Sequence, residues 1–458
     1  MKKNILLVLS MIGVVVMSSC TKPGSETTTI STPPYQVGQA VSDATPLSGA
    51  IKGTMLTGKT YNVSGTVTIN PKDTLLIQPG AKVEMGSGTF IVVKGTFLSL
   101  GSKDNPIYIT SPAGSYKCDI NQDPATDPAH LGLWGGIYCD SAATALILKW
   151  THIEFGGGAV KTPSVKGDKA GNAYTIYTVN PNQYIVAEDC WFYGGVDDLI
   201  RFQGGKTAFY RNSFINCGAI GGDVLNAKNG TVGDWAYNFF IGCATNGTKA
   251  SNKGSGGPQA NITMYNNTYL QCGYRQIQTG RGGCINYEEG AKGWYANNLM
   301  VDCKFGPRIV NNPVADTVNI SYGYSFQYGD SLSVVDQFYP TSYITKPMES
   351  DIPSFASYLP KGYAPGGTYD GSKLLNQNDP MFVNYSLPQY QHIKFVCPTG
   401  SDFHLKAGSP CLGKGNTTTW SPLKLVPVDP KFGVTEYTMP GKDIGCYQAD
   451  GTGNQHSY

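Results

Sequence analysis

A short motif recurs in register through the second half of the chain: an asparagine, apolar residues and a cysteine. It occurs as NSFINC at 212–217, NFFIGC at 238–243, NTYLQC at 267–272 and NLMVDC at 298–303. Successive asparagines are 26, 29 and 31 residues apart. A repeat of this length indicates a structural unit that stacks on its neighbours, because so short a unit cannot bury an apolar face alone. The chain is therefore predicted to form a solenoid.

Shorter β-rich runs come before this motif, and every third run returns after 22 to 24 residues. This spacing predicts coils of three strands separated by turns, in an all-β protein. The runs are Val67–Ile69, Leu75–Ile77, Val83–Met85, Phe90–Val93, Phe97–Leu100 and Ile107–Thr110.

Aligning the coils produces columns of like residues. An apolar column should stack along the axis at about 4.8 Å per coil; it is predicted to contain Ile153, Trp191, Phe214, Phe240, Tyr269 and Met300. An asparagine column should occupy turns, because asparagine tolerates left-handed backbone and its amide can hydrogen-bond from coil to coil. Its members are Asn212, Asn238, Asn267 and Asn298.

Cys217, Cys243, Cys272 and Cys303 form a third column. Parallel side chains keep their Cβ atoms about 4.8 Å apart, beyond the usual 3.5 to 4.5 Å of a disulfide. We therefore expect buried free thiols that pack as small apolar groups. A metal site is not expected, because a linear stack of ligands does not converge on one point.

The N-terminus has the pattern of an export signal. Two lysines are followed by an apolar run, Ile5–Met17, which is too short to span a bilayer, and then by Ser18, Ser19 and Cys20. Residues 17–20 resemble the lipobox of bacterial lipoproteins. The resemblance implies a signal peptide at 1–19, acylation of Cys20 and attachment to the outer membrane, because Thr21 and not an aspartate follows. It does not say whether the protein faces the periplasm or the exterior.

Several segments resemble right-handed parallel β-helix proteins of the pectate-lyase-like superfamily, in particular envelope lipoproteins with that fold. They are LLIQPGAKVEM at 75–85, WGGIYC at 134–139, GVDDLIRFQGG at 195–205, and SDFHLKAGSPCLGKG with DIGCYQAD near the C-terminus. The resemblance implies a right-handed parallel β-helix with long loops and a C-terminal closing module. It does not imply one activity, because the superfamily contains lyases, hydrolases and members without known chemistry.

The chain is accordingly divided into a flexible tether at 20–45, rich in Ser, Thr, Pro and Gly, and a β-helix at 46–325. An irregular loop excursion at 326–375 and closing coils of the β-helix at 376–458 follow. In the closing coils Cys411 and Cys446 occupy positions where related motifs more often carry alanine. The resemblance thus implies that they are in contact and could form a disulfide, which the cell envelope permits.

The candidate catalytic residues are Asp197 and Asp198, with Arg201 and Asp223. Paired carboxylates act as acid and base or nucleophile in glycoside hydrolysis. The competing interpretation is a turn in which the aspartates accept backbone N–H groups. A lyase would also need Ca²⁺ or another neutraliser of the substrate carboxylate; otherwise no cofactor is expected. Arg275, Arg281, Glu288 and Glu289 are expected to be solvated loop charges.

Aromatic side chains are the candidates for glycan binding, since exposed rings stack on sugars: Trp191, Trp235, Tyr274, Tyr287 and Tyr295. The net charge of +2, with 14% charged residues, argues against nucleic acid as a partner. The sequence favours an outer-membrane lipoprotein without enzymatic activity that binds glycans or mediates adhesion. A polysaccharide lyase or glycoside hydrolase acting through Asp197 and Asp198 is the alternative. The oligomeric state stays open.

Overall fold

The structure is a computed structural model. Its chain divides into residues 1–35 and 36–458, and the second unit holds every element given below. The signal peptide and Cys20 lie outside the described residues. Those are 35–117, 123–159, 174–252, 258–339, 343–354, 369–387 and 396–458.

Ten strands pair in parallel along one side of the molecule and form sheet 1. Each strand pairs with the strand one coil earlier and one coil later. The strands are β2 (Gly53–Met55), β4 (Thr74–Ile77), β7 (Thr96–Leu100), β10 (Ala145–Lys149), β13 (Tyr184–Glu188), β16 (Gly205–Tyr210), β19 (Thr231–Ala236), β22 (Asn261–Tyr265), β25 (Lys292–Ala296) and β28 (Ile320–Gly323).

Nineteen further parallel strands form two rows, which β1 (Leu47–Ala50) and the long strand β3 (Thr60–Ile69) join at one end. The first row, sheet 2, continues through β5 (Lys82–Met85), β8 (Ile107–Thr110), β11 (Thr151–Glu154), β14 (Trp191–Tyr193), β17 (Ser213–Ile215), β20 (Phe239–Ile241), β23 (Thr268–Leu270), β26 (Leu299–Val301) and β29 (Phe326–Tyr328). The second row, sheet 3, continues through β6 (Phe90–Val93), β9 (Gly136–Cys139), β12 (Ile176–Thr178), β15 (Ile200–Phe202), β18 (Leu225–Ala227), β21 (Asn246–Ser251), β24 (Gly283–Glu288) and β27 (Arg308–Ile309).

The chain passes through sheets 1, 2 and 3 in turn and then repeats the circuit, which is the arrangement of a parallel β-helix. The predicted fold is thereby confirmed, and the six runs predicted as strands fall within β3 to β8. Alternate side chains point inward and fill one continuous apolar core. Gly95 shows how tight the turns are, because a Cβ atom there would lie 2.2 Å from the carbonyl oxygen of Asp73.

The apolar column exists, with one correction. Phe192 and not Trp191 pairs with Ile153 and Phe214. Phe192, Phe214, Phe240 and Tyr269 stack with ring centroids 4.8, 4.9 and 4.8 Å apart. The predicted alignment of the repeat is one residue too early in this coil, and a shift of one residue moves a side chain to the other face of a strand. Trp191 therefore points outward.

The asparagine column is a hydrogen-bonded ladder. The amide nitrogen of Asn212 donates to Asn238 Oδ1 at 2.9 Å, and the same contact links Asn238 to Asn267 and Asn267 to Asn298, each at 3.1 Å. The left-handed backbone falls on the residue before each asparagine, as at Arg211 (φ +59°). The ladder asparagines thus satisfy neighbouring coils and leave the strained position to the preceding residue.

The cysteines of the third column are buried and form no disulfide, as predicted; they are Cys217, Cys243, Cys272 and Cys303. Burial raises the pKa of each thiol above its usual value. The thiolate is the reactive form of cysteine, so these side chains act as apolar packing groups.

Two of the proposed boundaries differ from the structure. Part of the predicted tether pairs with the first coil, because Val41 N donates to the carbonyl oxygen of Thr54 at 2.8 Å and Ala40 bridges to Thr54. The β-helix also extends past residue 325, since β29 continues sheet 2 inside the predicted excursion. The rest of the described excursion contains the short helix α1 (Leu332–Val335) and a 3₁₀ turn at Gly371–Leu374; another such turn is Pro128–His130.

The described C-terminal residues do not form the closing coils that were expected. They contain one antiparallel pair, β30 (Phe382–Asn384) with β31 (Asp402–Leu405), and otherwise irregular backbone. This segment runs along the side of the helix, where Asp443 O accepts from Asn266 Nδ2 at 2.7 Å. Within the described ranges, no helix has the length and apolar composition needed to cross a membrane.

Cys411 and Cys446 are both free, so the disulfide considered for them is not formed. The two segments do lie together, because Ile444 N donates to Cys411 O at 3.0 Å. The backbone of Cys446 bonds to Thr268 in sheet 2, which holds this cysteine against the helix.

Candidate functional site

A cavity of about 460 Å³ opens on the outer face of sheet 2. Strands β8, β11 and β14 form its floor, where Tyr108, His152 and Trp191 point outward from consecutive coils. The loop after β8 contributes Tyr116, and the C-terminal segment contributes further wall residues. We call this region the aromatic cavity.

The rings on the floor form a stack parallel to the helix axis. Ring centroids are 4.3 Å apart between Tyr108 and His152 and 4.5 Å apart between His152 and Trp191. His456 covers the other face of Trp191 at 3.6 Å. Trp191 is therefore enclosed on both faces and offers a ligand only its edge. The accessible rings are Tyr108, which is 36% exposed at the end of the stack, and Tyr116, which is 59% exposed.

Glu154 is the carboxyl group of the cavity wall, and only 3% of this residue is exposed. Thr110 Oγ1 donates to one carboxylate oxygen at 2.8 Å, and the Tyr116 hydroxyl bonds to the other. Burial raises the pKa of Glu154 to about 7, against the opposing effects of the Thr110 hydrogen bond and the Lys82 charge. The group is thus partly protonated at neutral pH.

His152 lies 3.2 Å from the same carboxylate through Nδ1. Burial lowers the pKa of His152 to about 4, so the imidazole is uncharged at neutral pH. Its contact with Glu154 is then a hydrogen bond and not an ion pair. The cavity therefore combines apolar ring surface with one carboxyl group whose charge is set by pH.

The C-terminal wall is tied to the helix through Asn216. Its side-chain nitrogen donates to Val396 O at 2.9 Å, and its side-chain oxygen accepts from Val396 N at 3.0 Å. The next residue, Cys397, is disulfide-bonded. The two hydrogen bonds of Asn216 thus hold this wall against the helix.

Sheet 3 carries a second outward column, which we call the charged face. Its register is continuous over six coils and brings together residue types that are uncommon in a buried position. The column consists of Tyr177, Arg201, Asn226, Lys249, Asn286 and Arg308.

Asp198 lies beside this column, buried and fully engaged. It accepts hydrogen bonds from Asp223 N at 2.7 Å and Asn226 Nδ2 at 2.7 Å, and Arg201 lies 3.3 Å away. Burial raises the pKa of Asp198, and the charges of Asp223 and Asp197 raise it further. The structure thus brings the four proposed catalytic residues into one region. Both oxygens of Asp198 are occupied, one by a backbone N–H of the next coil and the other by the side chains of Asn226 and Arg201.

Asp223 differs from Asp198 in its surroundings. Burial alone would raise its pKa, but the ammonium groups of Lys249 and Lys228 and the hydrogen bonds from Asn246 hold the pKa below its usual value. Lys249 Nζ lies 3.7 Å from Asp223 and 2.6 Å from Glu288. Burial lowers the pKa of Lys228 to about 8, and repulsion by Lys249 adds to this effect. Opposite charges therefore compensate one another across neighbouring coils.

A cavity of about 290 Å³ opens above the charged face. Arg308, one of its lining residues, donates to Gly280 O at 2.8 Å and also contacts the side-chain oxygen of Asn246. Arg308 Nε and Asn286 Oδ1 are buried without a hydrogen-bond partner. Three of the residues predicted as solvated charges line this cavity: Glu288, Glu289 and Arg281.

The fourth member of that predicted group, Arg275, is not solvated; it is 3% exposed. It donates to the backbone carbonyl groups of Cys217 at 3.0 Å, Gly218 at 2.6 Å and Gly242 at 2.6 Å. These carbonyls belong to the loops that connect sheet 2 to sheet 3. Arg275 thus clamps a ridge between the aromatic cavity and the charged face.

Most of the predicted glycan-binding rings are inaccessible. Trp235, Tyr287 and Tyr295 point into the core with at most 1% exposure, so they cannot stack on a sugar. Tyr274 is largely enclosed against the cluster formed by α1 and its neighbours. Of the five candidates, Trp191 alone lines the aromatic cavity.

Glu154 and His152 are not among the site residues predicted from the sequence. The signal was present in THIEF at 151–155, where alternation places His152 and Glu154 on the outer face once Ile153 is assigned to the core. The accessible rings of Tyr108 and Tyr116 carried no comparable signal, because ring exposure depends on loops and on the C-terminal segment.

Among the described residues, no three His, Cys, Asp or Glu side chains are grouped so that they could hold a metal ion. No protein-family model matches this sequence, and neither a curated protein nor a solved structure shows significant similarity to it. The parallel β-helix architecture and the geometry of its two outer faces are therefore the basis for a functional assignment.

Proposed function

We propose that the protein is a cell-envelope lipoprotein that binds glycans in the aromatic cavity. One observation carries this proposal: a cavity of about 460 Å³ combines accessible Tyr108 and Tyr116 rings with the polar groups of Glu154 and Asn216. Ligand sites typically have this size and this mixture of apolar walls and few polar groups. In this proposal a sugar ring lies against the tyrosines, and its hydroxyls bond to the polar side chains.

Binding can be tested with a panel of neutral and uronate-containing oligosaccharides, using isothermal titration calorimetry. Tyr116→Ala and Tyr108→Ala should each weaken binding about tenfold, because loss of an aromatic contact of about 1.4 kcal/mol changes the affinity by that factor. Tyr138→Ala is the matched control, since Tyr138 is a half-buried outward ring on sheet 3. A broad glycan array on which nothing binds would overturn the proposal.

The lipoprotein part of the proposal rests on the lipobox-like Met17-Ser18-Ser19-Cys20 and on the resemblance to β-helix envelope proteins. A protein acylated at Cys20 should label with radioactive palmitate and fractionate with the outer membrane. Cys20→Ser should abolish the label and release the protein. Surface proteolysis of intact cells would then distinguish a periplasmic from an exterior orientation.

Polysaccharide lyase or glycoside hydrolase activity is the second candidate. It is favoured by the 290 Å³ cavity beside Asp223, Lys249 and Glu288, not by the Asp197 and Asp198 pair alone. Release of products from uronate-rich or neutral polysaccharides would support it, with and without added Ca²⁺. Glu288→Gln should then remove the activity, whereas Glu84→Gln, on sheet 2, should retain it.

A further inference from the structure

The position of Glu154 links the occupancy of the aromatic cavity to pH. We propose that an uncharged glycan binds this cavity more tightly when Glu154 is protonated, so that binding weakens as the pH rises through neutrality. This inference rests on the proposed function for the class of ligand. The geometry of the carboxyl group supplies the direction of the effect.

Among the residues that the structure describes, no lysine or arginine side chain lies within ion-pair distance of the Glu154 carboxylate. The described residues place only hydroxyl and imidazole groups in direct contact with it, namely Thr110, Tyr116 and His152. Lys82, whose charge favours the ionised form of Glu154, is already paired with Glu84 at 2.7 Å. The ionised carboxylate therefore depends on water in the cavity for part of its solvation.

A ligand that fills the cavity displaces this water. The ionised form of Glu154 then loses solvation, whereas the neutral form loses little, so binding raises the pKa of Glu154 further. Thermodynamic linkage requires the reciprocal effect, in which the protonated protein binds the ligand more tightly. A rise of one pKa unit on binding corresponds to about a tenfold difference in affinity between acidic and alkaline pH.

Other groups around Glu154 do not produce the same profile. Burial lowers the pKa of His152 to about 4 and raises the pKa of Tyr193 to about 12; it also raises the pKa of Tyr108. None of these three changes charge between pH 5 and 8. Within the described part of the chain, the titratable or charged side chains that face Glu154 come from β5, β8, β11, β14, the loop after β8 and the C-terminal segment. They are Lys82, Glu84, Tyr108, Tyr116, Lys117, His152, Tyr193 and Tyr458.

The test is a pH series of calorimetric titrations from pH 5 to 9 with the neutral oligosaccharide that binds best in the panel. The wild-type dissociation constant should rise about tenfold across neutrality. Glu154→Gln should bind at every pH as the wild type does at pH 5, because glutamine stays uncharged. Glu349→Gln is the matched control and should keep the wild-type profile, since Glu349 is exposed and does not line the aromatic cavity.

A second readout does not require that Glu154→Gln fold. The carbon-13 resonance of the Glu154 carboxyl should titrate near pH 7, and its midpoint should move to higher pH when the oligosaccharide is bound. Thr110→Val should move the midpoint of the free protein upward, because it removes a hydrogen bond to the ionised form.

Three results separate the possible failures. A dissociation constant that stays constant from pH 5 to 9 overturns the inference and leaves glycan binding intact. A bound-state midpoint equal to that of the free protein overturns it as well. Absence of binding at every pH overturns the proposed function, and the inference with it.

Discussion

The aromatic cavity and the charged face are built by the same rule and differ in how they treat charge. Each is an outward column that adds one side chain per coil, on sheet 2 and sheet 3 respectively. On the charged face Lys249 lies between Asp223 and Glu288, so charges on neighbouring coils compensate each other. In the aromatic cavity Glu154 has hydroxyl and imidazole neighbours and a pKa raised to about 7.

This difference shows which part of a β-helix can vary to form a functional site. Its backbone is uniform from coil to coil, so the chemistry of a face depends on which residue types occupy one column. A column of side chains whose opposite charges are paired contributes mainly to stability. A buried titratable group without a charged partner is instead characteristic of binding and catalytic sites. For this reason the aromatic cavity is the stronger candidate for ligand binding.

The largest effect should come from the ridge that separates the two faces. Arg275→Ala removes the side-chain donor of the buried Gly218 and Gly242 carbonyl groups, and each unsatisfied group costs about 1 to 3 kcal/mol. The Cys217 carbonyl still accepts from Ala244 N at 2.8 Å. We expect the free energy of unfolding to fall by about 4 kcal/mol in urea denaturation. Arg281→Ala, an exposed arginine nearby, should change it by less than about 0.5 kcal/mol. Equal effects of the two substitutions would contradict the clamp.

The charged face should be the next most sensitive. Lys249→Ala removes the cation between two largely buried carboxylates, which typically costs about 3 kcal/mol. Lys52→Ala is the matched control, because Lys52 also pairs with a carboxylate, Asp73 at 3.1 Å, but is 70% exposed. That substitution should cost less than about 1 kcal/mol. Chemical denaturation of both variants checks whether burial sets the difference.

The double variant Lys249→Met with Glu288→Gln refines this comparison. It removes a cation and an anion together, so much of the stability lost in Lys249→Ala should return. No recovery would indicate that Lys249 acts through packing and not through charge compensation.

The two faces should respond to pH in opposite directions. The pKa of Glu154 is raised above its unfolded value, so its protonated form is favoured in the folded state and its contribution declines as the pH rises from about 4.5 to 7. The pKa of Asp223 is lowered, so its contribution is present above the unfolded pKa of 3.8 and is lost as the pH falls through the folded pKa. Glu154→Gln should therefore reduce the loss of stability that occurs as the pH rises to neutrality. Asp223→Asn should reduce the loss of stability that occurs as the pH falls into the acidic range.

Thermal unfolding of both variants between pH 3 and 8 is the measurement. Glu154→Gln should gain up to about 3 kcal/mol relative to the wild type at pH 8, because the buried charge is removed. A Glu154→Gln profile parallel to that of the wild type would show that the carboxyl group is solvated in the folded protein.

The sequence predicted the scaffold well because each column repeats. The asparagine ladder, the cysteine column and the strands β3 to β8 all follow from spacing. The one misaligned coil is instructive, because Cys190 there occupies the position of the ladder asparagines and hid the register. Without that asparagine, the repeat predicts Trp191 in the core and does not identify Phe192.

The candidate site was predicted much less well, because it depends on contacts that are not periodic. Glu154 acquires its raised pKa from burial under Tyr116 and the C-terminal wall, which lie 38 and more than 200 residues away in the chain. Arg275 was predicted as a solvated charge because its carbonyl partners lie on two earlier coils. Neither arrangement has a sequence spacing that could be recognised in a single chain.

The smallest effect should come from the cysteine column. Its residues lie where the loops from sheet 2 to sheet 3 begin, and they belong to neither face. Cys243→Ala removes one buried sulfur atom and should lower the free energy of unfolding by about 1 kcal/mol, much less than Arg275→Ala in the same ridge. In the native protein Cys217, Cys243, Cys272 and Cys303 should resist iodoacetamide, because burial keeps them as thiols. Mass spectrometry of the alkylated protein, before and after unfolding in urea, measures this protection. Alkylation of the folded protein at any of the four would show that the ridge opens in solution, and the boundary between the two faces would then be mobile.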